Sequence, residues 1–269
     1  MTDVLEPMLE IANEAARLVL EIYETPFSVD FKGPKDPVTA ADRRANELIC
    51  GKLADAFPGV PIVAEESDPE TFAGYQKKER IFFVDPLDGT TEFVGRNGEF
   101  VVMIGLVEGT VAQAGVIVAP AKDLAWAGLA GTGAWEIQGG ARRAIRVSST
   151  DELGQARVVS SRSHRSPTLE RALAMLGGKE LVPLGSAGLK GAEIASGRAE
   201  IYVGTGRAGK RWDACAVDAL VTAAGGRFTD SFGGPIDYRS ASLENDRGLL
   251  ATNGKLHDRV IATLEELRE

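Results

Sequence analysis

From position 3 to about 24, apolar residues fall at Val4, Met8, Ile11, Ala15, Leu18 and Ile22, in alternating steps of four and three. That spacing keeps them on one side of an α-helix and predicts an amphipathic one. Asp3 with Glu6 reads as a capping pair at its start, and Pro26 lies just beyond its end. A second helix is predicted over Thr39 to Ala56, with Ala41, Ala45, Leu48, Ile49 and Leu53 inward and Pro58 and Gly59 closing it. The pattern then changes. Pro61 to Ala64 and Ile81 to Val84 are short unbroken apolar runs of the kind that form buried strands, and the polar stretch between them, Ser67 to Arg80, reads as a mobile surface loop. The second run stops at Asp85. Pro86 cannot donate to a ladder and Gly89 permits a tight turn, which places Asp85 and Asp88 at a strand end outside the core, before a helix that begins near Thr90.

Downstream, Phe100 to Val107 and Thr110 to Ala119 read as paired strands joined at Glu108 and Gly109, continued as a meander by Leu124 to Leu129 and Ala134 to Gln138. Gly139, Gly140, Arg142 and Arg143 are expected to form a turn before a strand at Ile145 to Val147. A boundary near Ser148 to Leu153 divides the chain into subdomains over 1–150 and 151–269. Beyond it, strands at Arg157 to Ser160, Leu181 to Leu184, Glu200 to Val203, Arg227 to Thr229 and Gly248 to Ala251 alternate with helices. The helices are expected over Pro167 to Leu176, Ala187 to Ser196, Trp212 to Ala224 and from Lys255. Helices and mostly antiparallel strands in layers make an α+β sandwich.

Composition narrows the chemistry. The 269 residues, 44% hydrophobic and 26% charged, suit one large domain or two closely packed ones of an ordinary globular protein. No run of eighteen apolar residues and no secretory leader is visible, so a cytoplasmic protein without membrane contact is expected. Cys50 and Cys215 then read as reduced thiols. The net charge of -9 argues against nucleic acid as a partner, although metal ions would still admit a small anionic substrate. The two histidines, His164 and His257, leave little material for a zinc hydrolase or a histidine-based triad.

Acidic residues stand at four element ends: Asp36 and Asp42 around Thr39, Glu65 and Glu66 after a strand, Asp85 and Asp88 around the central turn, and Asp213 after Trp212. Singly, each has an ordinary structural explanation. Thr39 with Asp42 makes a capping box, Asp213 complements a helix dipole, and the Glu65-Glu66 pair can be solvated. Together they are what a multi-metal phosphate site requires, because a phosphate ester and its attacking water both need cationic neutralisation. Free N–H groups at a helix beginning near Thr90 would add a seat for an anion.

In this order and spacing the motifs D-x-V-T-x-x-D, E-E, D-P-[IL]-D-G-T and W-D resemble those of the inositol monophosphatase-like, Mg2+-dependent and lithium-sensitive phosphatases. Here they read Asp36 to Asp42, Glu65-Glu66, Asp85 to Thr90 and Trp212-Asp213. The resemblance spans essentially the whole chain and implies a layered αβαβα sandwich of the inositol monophosphatase/fructose bisphosphatase type. It further implies two to three Mg2+ ions: one on Glu65, Asp85 and the carbonyl of Leu87, one on Asp85, Asp88 and Asp213, and a weaker third near Glu65. Asp42 and Thr90, hydrogen-bonded to each other, would orient and deprotonate the attacking water, with Glu65 counted as catalytic beside them. Substrate contacts would come from Gly89, Thr90 and Thr91 around the phosphate, and from Asp213.

Three further stretches are similar to the 3'(2'),5'-bisphosphate nucleotidases within that family: Asn97 to Phe100, the S-R-S-H ending at His164, and Gly209 to Ala216. They imply nucleotide contacts from His164, Gly185 and Ser186, with Lys190, Lys210 and Arg211 near a second phosphate. Thr91 stands where many nucleotidases carry lysine, and Glu92 departs from the simpler monophosphatases. The favoured expectation is a phosphatase that takes the 3'-phosphate from adenosine 3',5'-bisphosphate. An inositol or sugar phosphatase on the same machinery remains an alternative, as does a non-catalytic phosphate-binding protein, against which the complete acidic set counts. A homodimer stays open.

Overall fold

The computed structural model describes residues 4–33 and 36–267, so the expected cap at Asp3 and the side chain of Asp36 lie outside the described residues. The apolar stripe of the first segment forms helix α1 (Leu5–Tyr23), burying Met8, Ile11 and Ala15. A hairpin of β1 (Val29–Gly33) and β2 (Asp36–Thr39) follows, then helix α2 (Ala40–Ala56), started by the capping box of Thr39 and Asp42. The middle of the chain runs through β3 (Ile62–Ala64), β4 (Arg80–Asp88), the short α3 (Thr90–Val94), β5 (Val101–Glu108), β6 (Val111–Ala119), β7 (Leu124–Leu129), β8 (Gly133–Gln138) and β9 (Ala141–Ile145). The remainder is β10 (Arg157–Ser161), α4 (Pro167–Leu176), β11 (Glu180–Leu184), α5 (Ala187–Ala195), β12 (Ile201–Gly204), α6 (Arg211–Ala223), β13 (Arg227–Thr229), β14 (Leu249–Thr252) and α7 (His257–Leu264).

Strands β3 to β9 lie side by side in chain order as a seven-stranded sheet, antiparallel except for the parallel pair β3 and β4. Successive side chains point to opposite faces, so on β4 Ile81 and Phe83 enter one core while Phe82 and Val84 enter another. Both faces are covered by helices, which is why the strand reads as a continuous apolar run. Helices α1 and α2 cover one face. Helices α5 and α6 cover the other and separate it from a five-stranded mixed sheet ordered β11-β10-β12-β14-β13, whose far side is closed by α4 and α7. The layers are therefore α, β, α, β, α, as expected.

A row of glycines brings α6 down onto the larger sheet. Gly105, Gly115 and Gly128 are cross-strand neighbours on β5, β6 and β7. A Cβ on Gly115 would lie 2.3 Å from the Ala216 carbonyl, and one on Gly128 would lie 2.6 Å from the Leu220 Cα. Only hydrogen fits in that gap. The helix that carries Asp213 is thus seated by what the sheet lacks.

Several expectations need correction. Strand β4 does not stop at Asp85 but continues to Asp88 through an irregularity, with Asp88 paired to Val101. Asp85 and Asp88 are buried, 1% and 8% exposed, and not outside the core. Pro86 is tolerated because the ladder with β3 has already ended at the Ala64–Val84 pair, leaving that side of β4 without a neighbour to receive an N–H. Arg142 and Arg143 lie within β9, and the turn is made by Gly139 and Gly140 alone. The stretch from Ser67 to Arg80 contains two 3-10 turns, buries Phe72 and Tyr75, and is tied to a distant loop by the Tyr75 hydroxyl donating to the Ser240 carbonyl at 2.9 Å. The β1–β2 hairpin was not expected, because β1 is mostly exposed and has no alternating apolar face, and β2 is only four residues long. Cys50 and Cys215 are free thiols on opposite faces of the larger sheet. Among the described residues, no helix is long and apolar enough to cross a membrane.

Candidate active site

The start of α2 and the start of α3 meet at Asp42. Its Oδ2 accepts from the backbone N–H and the hydroxyl of Thr39, both at 2.7 Å, and its Oδ1 accepts from the Thr90 hydroxyl at 3.0 Å. The same Thr90 hydroxyl lies 3.1 Å from the Leu87 carbonyl. Burial holds the Asp42 carboxyl above its ordinary range against the Thr39 hydrogen bonds, with the neighbouring Glu66 charge acting in the same direction as burial.

Between these helix ends, Asp85 and Asp88 from β4 meet Asp213 from the first turn of α6, with one carboxylate oxygen of each within 4.8 Å of the others. Asp88 is held by the Ser186 hydroxyl and by the Gly188 N–H, which donates at 2.8 Å. Asp213 Oδ2 accepts from the Lys210 N–H at 2.6 Å. Burial, reinforced by Asp88 and Glu65, pushes the Asp213 carboxyl up to about 8. Burial and the charges of Glu65, Asp88 and Asp213 push Asp85 well above its usual range. Buried carboxylates that repel one another to this degree are a donor set for a hard divalent cation.

Glu65 stands slightly apart. Lys32, on the unexpected hairpin, pairs with Glu65 at 3.0 Å and with Glu66 at 2.5 Å. Burial alone would lower the Lys32 pKa, but the two glutamates outweigh it and raise it. The turn after β4 needs Gly89, whose φ is +95° and whose absent Cβ would sit 2.8 Å from the Glu99 carbonyl. Thr90 and exposed Thr91 follow as the first residues of α3.

On the substrate side, Ser186 is locked rather than free. Its φ is +57°, its hydroxyl donates to Asp88, and its Oγ accepts from the Leu189 N–H at 3.1 Å as the cap of α5. Lys190, expected near a second phosphate, is 5% exposed. Its ammonium donates to the Ser186 carbonyl at 2.6 Å and lies 5.3 Å from the Tyr202 ring centroid, and burial lowers its pKa. His164 is exposed, with its backbone N–H bound to Ser161 Oγ. Lys210 Nζ lies over the Trp212 ring, and Arg211 is bound to the Asp237 carbonyl and the Asn245 side chain.

Residues 1–269 match the inositol monophosphatase family. The chain belongs to that family. It is accordingly a phosphatase. Among curated relatives, the 3'(2'),5'-bisphosphate nucleotidase CysQ of Escherichia coli strain K12 is 35% identical over 237 residues, covering 87% of this chain and 94% of the relative. Among solved structures, the extragenic suppressor protein suhB from Bartonella henselae superimposes with a TM-score of 0.84 at 28% identity, covering 98% of each chain. CysQ from Bacteroides thetaiotaomicron, described as a bacterial member of the inositol monophosphatase family, superimposes with a TM-score of 0.79 at 29% identity, covering 92% of this chain and 96% of the other.

The family is metal-dependent, and the acidic cluster of this member fits such a requirement on its own chemistry: two buried carboxylates and a half-buried third converge from two distant segments. Reading the family's motifs along the chain singled out Glu92 and the Asn97 to Phe100 stretch that holds Glu99 without giving either a contact, and did not reveal Lys32 or the Gly188 N–H as neighbours of the site. For Glu92 a signal existed, since a charge beside Phe93 and Val94 in a short segment is out of place unless it is bonded. Lys32 carried none, because its neighbours in sequence are those of any exposed strand.

Proposed function

We propose that this phosphatase is a 3'(2'),5'-bisphosphate nucleotidase that removes the 3'-phosphate of adenosine 3',5'-bisphosphate, leaving AMP and phosphate. The observation that carries the reading is the convergence of Asp85, Asp88 and Asp213 beside the bonded Asp42–Thr90 pair. The nucleotide is favoured by similarity, over most of both chains, to relatives bearing that name.

Asp85, Asp88 and Asp213 would hold Mg2+, together with Glu65 and the Leu87 carbonyl, in two or three positions. Bound there, Mg2+ would supply the positive charge that acidifies water and neutralises the transferring phosphoryl group. The chain's own residues do the rest. Thr90, donating to Asp42, turns its oxygen lone pairs toward the attacking water, takes the water's proton there and passes its own hydroxyl proton to Asp42. Burial, which raises the Asp42 pKa above the ordinary carboxylate value, makes it a stronger base than an exposed aspartate. Backbone N–H groups of Gly89, Thr90 and Thr91 orient the phosphate for in-line attack, and the bond to the ribose 3'-oxygen breaks without a covalent enzyme intermediate. Ser186 fixes Asp88, His164 and Gly185 face the nucleotide, and Lys190 supports the Ser186 turn from beneath.

The test is phosphate release with Mg2+ from adenosine 3',5'-bisphosphate and from inositol 1-phosphate, side by side, with and without lithium. A strong preference for the nucleotide and inhibition by millimolar lithium are expected. Preference for inositol phosphate would overturn the substrate assignment, and activity on neither would overturn the enzymatic mechanism.

A further inference from the structure

Two acids border the site without belonging to its cluster. Glu92, on α3 just past Thr90, is 3% exposed and receives the Ser163 hydroxyl at 2.5 Å. Glu99, just before β5, receives Arg162 through Nε at 2.8 Å and Nη2 at 2.7 Å, and also the Gly185 N–H at 2.6 Å. Arg162 is itself fixed, its Nη2 donating to the Pro183 carbonyl at 2.9 Å and its backbone N–H to the Leu184 carbonyl at 3.1 Å. From the segment that follows the aspartate turn, these two carboxylates reach two others: the S-R-S-H that ends at His164, and the Gly185–Ser186 turn before α5.

The packing leaves little slack. A Cβ on Gly185 would lie 2.4 Å from Glu92 Cγ and 2.9 Å from the Glu99 carbonyl oxygen, the same oxygen that excludes a side chain at Gly89. The Glu99 carbonyl is therefore wedged between the phosphate turn and the α5 turn. A buried negative charge this near an anion seat works against phosphate, so an apolar residue would serve better if filling space were the only requirement. What a carboxylate adds is direction: it accepts from a chosen hydroxyl, guanidinium and N–H at fixed geometry.

We propose that Glu92 and Glu99 are positioning residues that hold the Ser161–His164 segment and the Gly185–Ser186 turn at a set distance from the phosphate turn. They thereby set the preference for a nucleotide carrying two phosphates over a small phosphate monoester. The inference rests on the nucleotidase reading for its substrate class. Neither carboxylate touches the substrate. Each acts through Ser163, Arg162 or Gly185.

The experiment is steady-state kinetics with Mg2+ on adenosine 3',5'-bisphosphate and on inositol 1-phosphate, for the wild type and for Glu92→Ala, Glu92→Gln, Glu99→Ala, Glu99→Gln and Ser163→Ala. Glu92→Ala and Glu99→Ala are expected to raise KM for the bisphosphate about tenfold, while its kcat and the kcat/KM for inositol 1-phosphate stay within about twofold. Glu92→Gln keeps an acceptor for Ser163 and should retain most of the wild-type KM. Ser163→Ala should match Glu92→Ala and add nothing to it in the double variant. A KM unmoved by either alanine, or parallel loss of kcat on both substrates, overturns the inference while a discriminating wild type leaves the nucleotidase reading intact. A wild type that prefers inositol 1-phosphate overturns that reading, and the specificity claim with it. Should Glu92→Ala and Glu99→Ala fail to fold, Ser163→Ala and Glu99→Gln, whose amide cannot accept both Arg162 bonds and is expected to raise KM, carry the test: an unmoved bisphosphate KM in both overturns the inference.

Discussion

The two oxygens of Asp42 face different ways: Oδ2 closes the cap of α2 with Thr39, and Oδ1 receives Thr90. The ordinary explanation of this residue, a helix cap, and the chemical one are therefore compatible, because a carboxylate has acceptor sites enough for both. Asp88 is similar, anchored by Ser186 and Gly188 while lying in the acidic cluster. An amide at that position keeps an oxygen for the Gly188 N–H but loses the negative charge. Asp88→Asn is expected to lower kcat by about a thousandfold while the melting temperature stays close to that of the wild type. Near-normal turnover, read beside a thermal melt of the same preparation, would remove Asp88 from the mechanism.

The apolar run of β4 and the capping chemistry of α2 are local properties, and both elements begin within a residue of where the pattern placed them. The end of β4 was misplaced because a proline is compatible with a strand that has lost one neighbour, and neighbours are not written in the strand's own sequence. The seat of α6 is likewise non-local. Gly105, Gly115 and Gly128 are scattered along the chain and become a groove only when β5, β6 and β7 pair. Gly115→Ala would push a methyl group to 2.3 Å from the Ala216 carbonyl. Relief of that overlap is expected to destabilise the fold by about 2 kcal/mol and, by shifting Asp213, to lower kcat/KM by about tenfold or more. Chemical denaturation together with kinetics on the purified variant would check both numbers.

Beside the apolar contacts of the far layer, a buried imidazole ties α7 to the smaller sheet. His257, on α7 and 0% exposed, lies between Thr229 of β13, 3.0 Å from Nε2, and Thr252 of β14, 2.9 Å from Nδ1. Burial, aided by the nearby Arg227 charge, lowers its pKa to about 4 from 6.5. Between those values the unfolded chain binds the proton and the folded one does not, so stability must fall as pH drops through this window and is fully present above it. The loss attributable to this group is about 3 kcal/mol by pH 4. Denaturation midpoints measured from pH 7 to pH 4 should show that slope, and His257→Asn should flatten it.

Order, spacing and residue type determined the layered class and the acidic motifs, because apolar periodicity and helix caps depend on a few adjacent residues. The sequence also carried the Asp85–Asp88 spacing, since both lie in one strand and its turn. Folding decided the rest. Asp213 joins them from more than a hundred positions away, Lys32 faces Glu65 and Glu66 across a hairpin with no apolar pattern to announce it, and Glu92 and Glu99 meet partners from two later segments. Such contacts arise where sheets and helices cross, and which side chains face each other there depends on register and close approach, quantities that no single segment of the chain contains.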